Sequence, residues 1–437
     1  MDDLAQLMNA SASHREVIEN GLPAQPLQFP PPTVGKANRV TAIVHNPATS
    51  EEAQVPNVVY EARPDGAAPT RGYWIGRKLK KAIYGCVRSC TVLRLRPGST
   101  WTGPDSGAAG GGAAWEVTPE MAAVKIMDWN RVRDLRGRHM EDPVKEVSAM
   151  QYLCTDGGSP NVLGTLDVMS DEQYLYSFMP FCSCGELFGY VERDGRFSEP
   201  VARFWFRQLL NVSLFQCNLL LDSSPFFSYL SKLKIDSLTN SIQSRWACIV
   251  TQGLYHLQKM GVSHRDISLE NVLVDQMTKA AIIDLGMCLR VPFGADDGSI
   301  VDVTKGTLRR LISPQGQCGK PNYISPEVHL NVEAFDGFAI DVWACGVILF
   351  IMLVGLPPFE WANRDDPRFR MITKGGLALM LNQWNRPVSD EAGDLLQRML
   401  REDPKERLSL MEVMDHPWVI NDDASAPPPQ PAGGWRK

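Results

Sequence analysis

Between Tyr73 and Phe181 apolar and polar residues alternate in short runs, and after Phe197 this gives way to helical spacing that continues to about Asp422. Alternation predicts half-buried strands, here YWIGRKL, YGCVRSC, AAVKIM, NVLGTLDVM and YLYSFMPF, in an antiparallel sheet. The run EDPVKEVSAMQYL, Glu141 to Leu153, has apolar residues at helical spacing and Pro143 where a first helical turn accepts it. The longest uncharged stretch, Val342 to Phe359, follows Asp341 and contains Pro357 and Pro358, which predicts a buried helix rather than a membrane span. A sheet-rich first part followed by a helix-rich second part predicts an α+β protein with a cleft between two lobes.

Other stretches lack this patterning. Residues 1–70 hold PAQPLQFPPP, many Ala, Ser and Asn, and one short strand-like run, Val40 to Val44, so they read as a largely disordered leader. RPGSTWTGPDSGAAGGGAA, residues 96–114, reads as a flexible excursion on a hairpin tip, and residues 423–437 as a disordered tail. Residues 212–252, beginning VSLFQCNLLLDSSPFF, interrupt a helix. Without them VARFWFRQLLN joins GLYHLQKMGVSHRD as one amphipathic helix. Val-Ser is encodable as GTGAGT and Gln as CAG, a common start and a possible end of an intron, so a retained in-frame intron is the preferred reading over a genuine inserted element. If translated, its Leu- and Phe-rich start must pack on the second lobe or expose a costly apolar patch, and loss of activity is expected.

With 437 residues the chain has room for two lobes sharing one site, and 44% hydrophobic with 22% charged residues excludes wholesale disorder or a collagen-like chain. A net charge of -6 offers no global attraction for nucleic acid or an anionic membrane, and neither partner is expected. The ten cysteines include no CxxC pair or zinc-like Cys/His cluster, and no basic, apolar secretory run opens the chain. Reduced intracellular thiols and a cytoplasmic location follow, with the nucleus as an alternative. Cys182 and Cys184 stand too close for ordinary metal-ligand spacing.

Chemistry concentrates in four motifs. HRDISLEN runs from His264 to Asn271, Asp284-Leu285-Gly286 follows the apolar AII, Ala123-Val124-Lys125-Ile126 lies upstream, and Glu146 falls on the helix after it. Together they resemble the catalytic loop, metal-binding motif, phosphate-gripping lysine strand and helix glutamate of the protein kinase family, serine/threonine type. Ser325-Pro326-Glu327, DVWACGVILF and HPWV extend the resemblance over about Tyr73 to Ile420, and the second lobe is similar to the calcium/calmodulin-dependent group.

The resemblance implies a kinase domain over 71–422, with an N-lobe at 71–180 and a C-lobe at 183–422, using ATP and Mg2+, acting on protein substrates, and monomeric. It makes Asp266 the base, Asn271 and Asp284 the metal ligands, and Lys125 with Glu146 the phosphate grip. Leu79, Gly85, Val87, Ala123, Met179, Pro180, Phe181, Cys182 and Glu186 would line the nucleotide, with Met179 as gatekeeper and Glu186 toward the ribose. Glu327 would meet Arg407 in a buried ion pair, and Asp341 would bond backbone near the catalytic loop.

The chain also departs from the family. The glycine-rich loop has Lys80 and Ala82 in its first two glycine slots and keeps only Gly85, which predicts poorer amide contacts to phosphate and weak nucleotide affinity. The lysine usual two residues after the base is Ser268, while Lys320 stands where a hydroxyl is usual. An exchange of roles is therefore expected, with Lys320 reaching the γ-phosphate and Ser268 bonding Asp266. Arg265 supplies the charge that a phosphorylated activation segment engages, and Thr304, Thr307 and Ser313 are the candidate acceptors. The rival reading is a pseudokinase, a scaffold with weak nucleotide binding and little turnover.

Overall fold

Residues 23–99, 101, 114–155, 157–210, 253–292 and 309–427 are described by the structure, a computed structural model. Seven strands form the first lobe: β1 (Gly35–Asn46), β2 (Glu51–Glu61), β3 (Gly72–Ala82), β4 (Gly85–Leu95), β5 (Trp115–Asp128), β6 (Asp167–Ser170) and β7 (Tyr174–Pro180). They close into a barrel in the order β1-β2-β3-β4-β5-β7-β6. Sequential neighbours are antiparallel, and β1 completes the ring by running parallel to β6, with Gly35 opposite Met169, and to β5, with Val44 opposite Trp115. Val59, Tyr73, Cys90, Val124, Tyr176 and Phe178 form one apolar cluster, where Tyr73 stacks on Phe178 with ring centroids 3.8 Å apart. Val58, Tyr60, Leu93 and Trp115 form another.

The expected disordered leader is corrected by this barrel, because residues 35–61 supply two of its strands. Half of β1 is polar, and its β5 and β6 partners lie far along the chain, so local alternation carries little of the signal. Residues 23–34 also take a defined extended course along the second lobe. On the 96–114 excursion, the Arg96 N–H donates to the Ala114 carbonyl at 2.9 Å, so β4 and β5 hold both ends together. Residues 100 and 102–113 lie outside the described residues.

Helices α1 (Trp129–Leu135) and α2 (Pro143–Leu153) follow the barrel's long strand β5. The second lobe then carries α3 (Leu187–Asp194), α4 (Glu199–Leu210), α5 (Leu254–Lys259), α6 (Pro326–Leu330), α7 (Gly337–Val354), α8 (Pro367–Thr373), α9 (Leu377–Gln383), α10 (Asp390–Met399), α11 (Leu410–Met414) and α12 (Pro417–Ile420). Two short ribbons accompany them among the described residues, β8 (Val262–Ser263) with β11 (Leu289–Arg290), and β9 (Val272–Val274) with β10 (Ala280–Ile282).

Helix α7 is apolar apart from Asp341 and long enough to cross a membrane, yet every one of its residues is buried. It starts earlier than the uncharged run suggests, because Asp336 caps it by accepting the Phe338 N–H, and it stops at Gly355 before the two prolines.

Residues 211–252, which include the whole 212–252 run, lie outside the described residues. The two flanks nevertheless abut. A Cβ placed on Gly253 would lie 2.5 Å from the Leu209 carbonyl oxygen, so only glycine allows α5 to start directly against the end of α4. The start of the tail differs from expectation too: Asp423 pairs with the buried Arg203, and the Ser425 N–H donates to the Pro200 carbonyl at 3.1 Å.

Candidate active site

The roof and back of the cleft come from β3, β4, β5 and α2. On β5, Lys125 faces Val87 of β4 and Ser177 of β7 across the ladder. Helix α2 begins where Asp142 accepts the Val144 and Lys145 N–H groups and Pro143 takes the first turn. That start points Glu146 inward, and its buried carboxylate receives the largely enclosed Lys125 Nζ at 2.6 and 2.8 Å. Burial opposes the charge on Lys125, but the Glu146 and Asp284 carboxylates more than offset it and hold the ammonium's pKa above its ordinary value.

The floor is the loop after β8. Asp341 of α7 accepts the backbone N–H of His264 at 2.7 Å and of Arg265 at 2.9 Å, fixing the turn from which Asp266 projects. Arg265 and Asp284 both adopt left-handed backbone, with φ of 66° and 68°, a costly state for non-glycine residues that persists at sites where surrounding contacts impose it. Asn271 Nδ2 donates to the Asp266 carbonyl and to its Oδ2, each at 2.8 Å. Asp266 Oδ1 is buried and has no hydrogen-bond partner among the described residues.

Lys320 reaches this group. Its Nζ donates to Ser268 Oγ at 2.8 Å and lies 3.3 Å from Asp266 Oδ2. The approach depends on Gly319, at φ +94°, where a Cβ would lie 3.0 Å from the Arg265 carbonyl. Ser268 therefore contacts Lys320 among the described residues, and no bond from its hydroxyl to Asp266 is present.

A cavity of about 280 Å³ lies between the lobes. Leu79, Val87, Ala123, Lys125, Met179, Pro180, Phe181, Cys182 and Glu186 line it, as do Asn271 and Asp284. Apolar walls from Leu79, Val87, Ala123 and Leu273 suit a flat aromatic base, and the oxygens of Asn271 and Asp284 are hard donors that suit Mg2+. Burial resists ionisation of Asp284, but Lys125, His264 and the Gly286 N–H hold its pKa below the usual carboxylate value, so it is an anion at neutral pH.

Gly85 is the exception. It opens β4 opposite Met127, set against the Ile126 carbonyl, and does not line the cavity. Lys80, in a glycine slot of the roof, instead pairs with Glu186 on the floor. Glu141, read only as the start of a helical run, also lines the cavity. Burial and the nearby Asp284 raise its pKa. Its placement depends on the Asp142 N–H donating to Gly286, a contact with no local sequence pattern.

Away from the cleft, Arg407 donates to Glu327 through both guanidinium arms, at 2.7 and 3.1 Å, and its side chain is wholly buried. Arg265 donates to the Gly316 carbonyl at 3.1 Å. Ser313 is half-buried, while Thr304 and Thr307 lie outside the described residues.

An antiparallel-sheet lobe over a helical lobe, with this cleft between them, is a two-lobed kinase fold. Residues 213–419 match the family model described as the protein kinase domain. Curated relatives include "Probable serine/threonine-protein kinase fhkD" of Dictyostelium discoideum, 26% identical over 323 residues, covering 70% of this chain and 34% of the relative. "Calcium-dependent protein kinase 29" of Arabidopsis thaliana is 30% identical over 295 residues, covering 67% and 43%. "CBL-interacting protein kinase 9" of Oryza sativa subsp. japonica is 27% identical over 309 residues, covering 70% and 52%. The chain spans from about a third to about half of the length of these relatives. The chain carries a protein kinase domain over residues 213–419, and the relatives that it is similar to are serine/threonine or calcium-dependent protein kinases.

Proposed function

We propose that the chain transfers the γ-phosphate of ATP to serine or threonine hydroxyls of protein substrates. The observation that carries this reading is the Lys125–Glu146 pair and the ionised Asp284 on the wall of one cavity, with Asn271 of that wall bonded to the Asp266 carboxylate. Lys125, fixed by Glu146, is a cation for the nucleotide's phosphates. Asn271 and Asp284 would hold Mg2+, which supplies charge neutralisation for the phosphates when bound. The Asp266 carboxylate is the acceptor for a substrate hydroxyl's hydrogen bond, orienting that oxygen and receiving its proton. Lys320, anchored by Ser268, places a second cation beside the base, where charge develops during transfer.

The roof favours a second reading. With Lys80 paired to Glu186 across the cleft, a pseudokinase with weak nucleotide binding and little turnover accounts for the missing glycines. One assay separates the two: transfer of labelled phosphate to generic protein substrates by the full chain and by a form lacking residues 212–252, with Asp266→Ala as the blank. Transfer above the blank supports the kinase. Nucleotide binding with no transfer by either form supports the scaffold.

A further inference from the structure

The sequence PAQPLQFPPPT, residues 23–33, is pre-extended, because proline fixes its own φ and donates no N–H. Two of the N–H groups that remain are used at once. Ala24 donates to the Leu311 carbonyl at 2.9 Å and Leu27 to the Arg290 carbonyl at 3.0 Å. Return bonds run from the Ser313 N–H to the Ala24 carbonyl at 3.0 Å and from Arg290 Nη1 to the Gln28 carbonyl at 2.6 Å. One extended segment thus ties down both described flanks of the activation segment between Asp284 and Glu327: Arg290 near its start, and Leu311–Ser313 further along.

The same segment reaches α2. Leu27 packs into the cluster of Leu289, Val291, Ile312 and Phe335. Phe29 meets Tyr152 edge-on with centroids 5.7 Å apart, and Thr33 exchanges two hydrogen bonds with the Gln151 side chain, at 2.8 and 2.7 Å. Gln151 and Tyr152 belong to the helix that carries Glu146. On its other edge β11 pairs with β8, with Leu289 opposite Ser263, and the chain passes from β8 directly into His264, Arg265 and Asp266. The segment therefore touches the two elements whose positions decide whether Lys125 meets Glu146 and Asp266 meets Lys320.

We propose that residues 23–33 are a positioning strap that holds the activation segment and helix α2 in their aligned arrangement without a phosphate on that segment. The inference rests on the kinase reading of the site. Arg265, the cation a phosphate would engage, already gives one guanidinium nitrogen to the Gly316 carbonyl and lies 5.7 Å over the Phe335 ring, while its Nε is buried without a partner among the described residues. Prolines in the strap limit the freedom it must lose on docking, which makes a permanent intramolecular contact of this length favourable.

The test uses the full chain carrying Leu27→Asp with Phe29→Ala, alone and with a synthetic peptide of residues 23–34. Hydrogen exchange is followed in residues 287–292, 309–318 and 143–153, together with Mg-ADP affinity and transfer to a peptide. Exchange in those stretches rises roughly tenfold or more, transfer falls roughly tenfold, mainly in kcat, Mg-ADP affinity holds within about twofold, and the peptide restores both exchange and transfer. Unchanged exchange overturns the strap, and restored exchange without restored transfer overturns its positioning role. A phosphate on Thr304, Thr307 or Ser313 of the wild-type chain whose removal abolishes transfer also overturns it. A wild-type chain that transfers nothing defeats the kinase reading, while the exchange comparison still decides whether the strap orders the segment.

Discussion

Lys80 Nζ lies 2.5 Å from Glu186 Oε1, an ion pair between the roof of the cleft and its floor. Lys80 stands where a flexible glycine would let backbone amides approach phosphate, and Glu186 stands where a nucleotide's ribose is expected. The pair therefore competes with a nucleotide for Glu186. Because the lysine side chain is 52% exposed, the pair is screened and contributes at most about 1 kcal/mol.

Lys80→Gly should accordingly tighten ATP binding, by at most about fivefold, by freeing Glu186 and loosening the roof. Titration of Mg-ATP against both proteins measures this. Weaker binding by the variant would mean that Lys80 serves the phosphates directly.

The contact of Lys320 with Ser268 and Asp266 predicts a particular pattern of non-additivity. Ser268→Lys alone places two cations together, and Lys320→Thr alone removes the only one beside the base among the described residues; each should lower kcat by about a hundredfold. The double change restores a lysine and a hydroxyl on exchanged positions and should recover most of the activity. Additive losses in the cycle would show that the two residues act independently.

Acid stability should depend on Asp336. Burial resists its ionisation, but the Arg309 guanidinium, bonded at 2.8 and 3.0 Å, holds its pKa below the usual value. A depressed folded pKa stabilises the fold fully above the unfolded value of about 3.9 and loses that contribution as pH falls through the lower folded value. Asp336→Asn removes the carboxylate charge bonded to the buried Arg309 and should cost about 3–5 kcal/mol at pH 7. The gap from wild type, followed by denaturant melts, should narrow only below about pH 3.9.

Val59 sits wholly buried on β2, in the hairpin that completes the barrel. Val59→Ala should destabilise the first lobe by about 2 kcal/mol. A thermal melt and Mg-ADP affinity measured together would show whether the loss reaches the cleft. An unshifted melt would mean that β1 and β2 contribute little to the lobe's stability.

What was legible in the sequence follows from how local each determinant is. Helix α7 reads directly from its uncharged run, and Lys125, Glu146, Asp266, Asn271 and Asp284 read from motifs whose spacing the fold preserves. The hairpin Gly35–Glu61 and the strap escaped because their apolar residues are few and their partners distant: Val44 meets Trp115, and Leu27 meets Arg290. Proline-rich composition signals disorder when a segment has nothing to bury against. Here Leu27 and Phe29 have an apolar surface that only the tertiary fold creates. Gly85 was placed by register with a family motif, but its backbone geometry puts it in the ladder instead of on the cavity wall.

The closure of the barrel by β1 has a mechanical consequence. An open sheet can flex by splaying its outer strands, whereas in a ring each strand is restrained on both sides, so bending one ladder strains the next. Opening of the cleft should therefore be carried by the chain at Pro180–Gly185 and by the α2–β6 connection, with the first lobe tilting as one rigid cap.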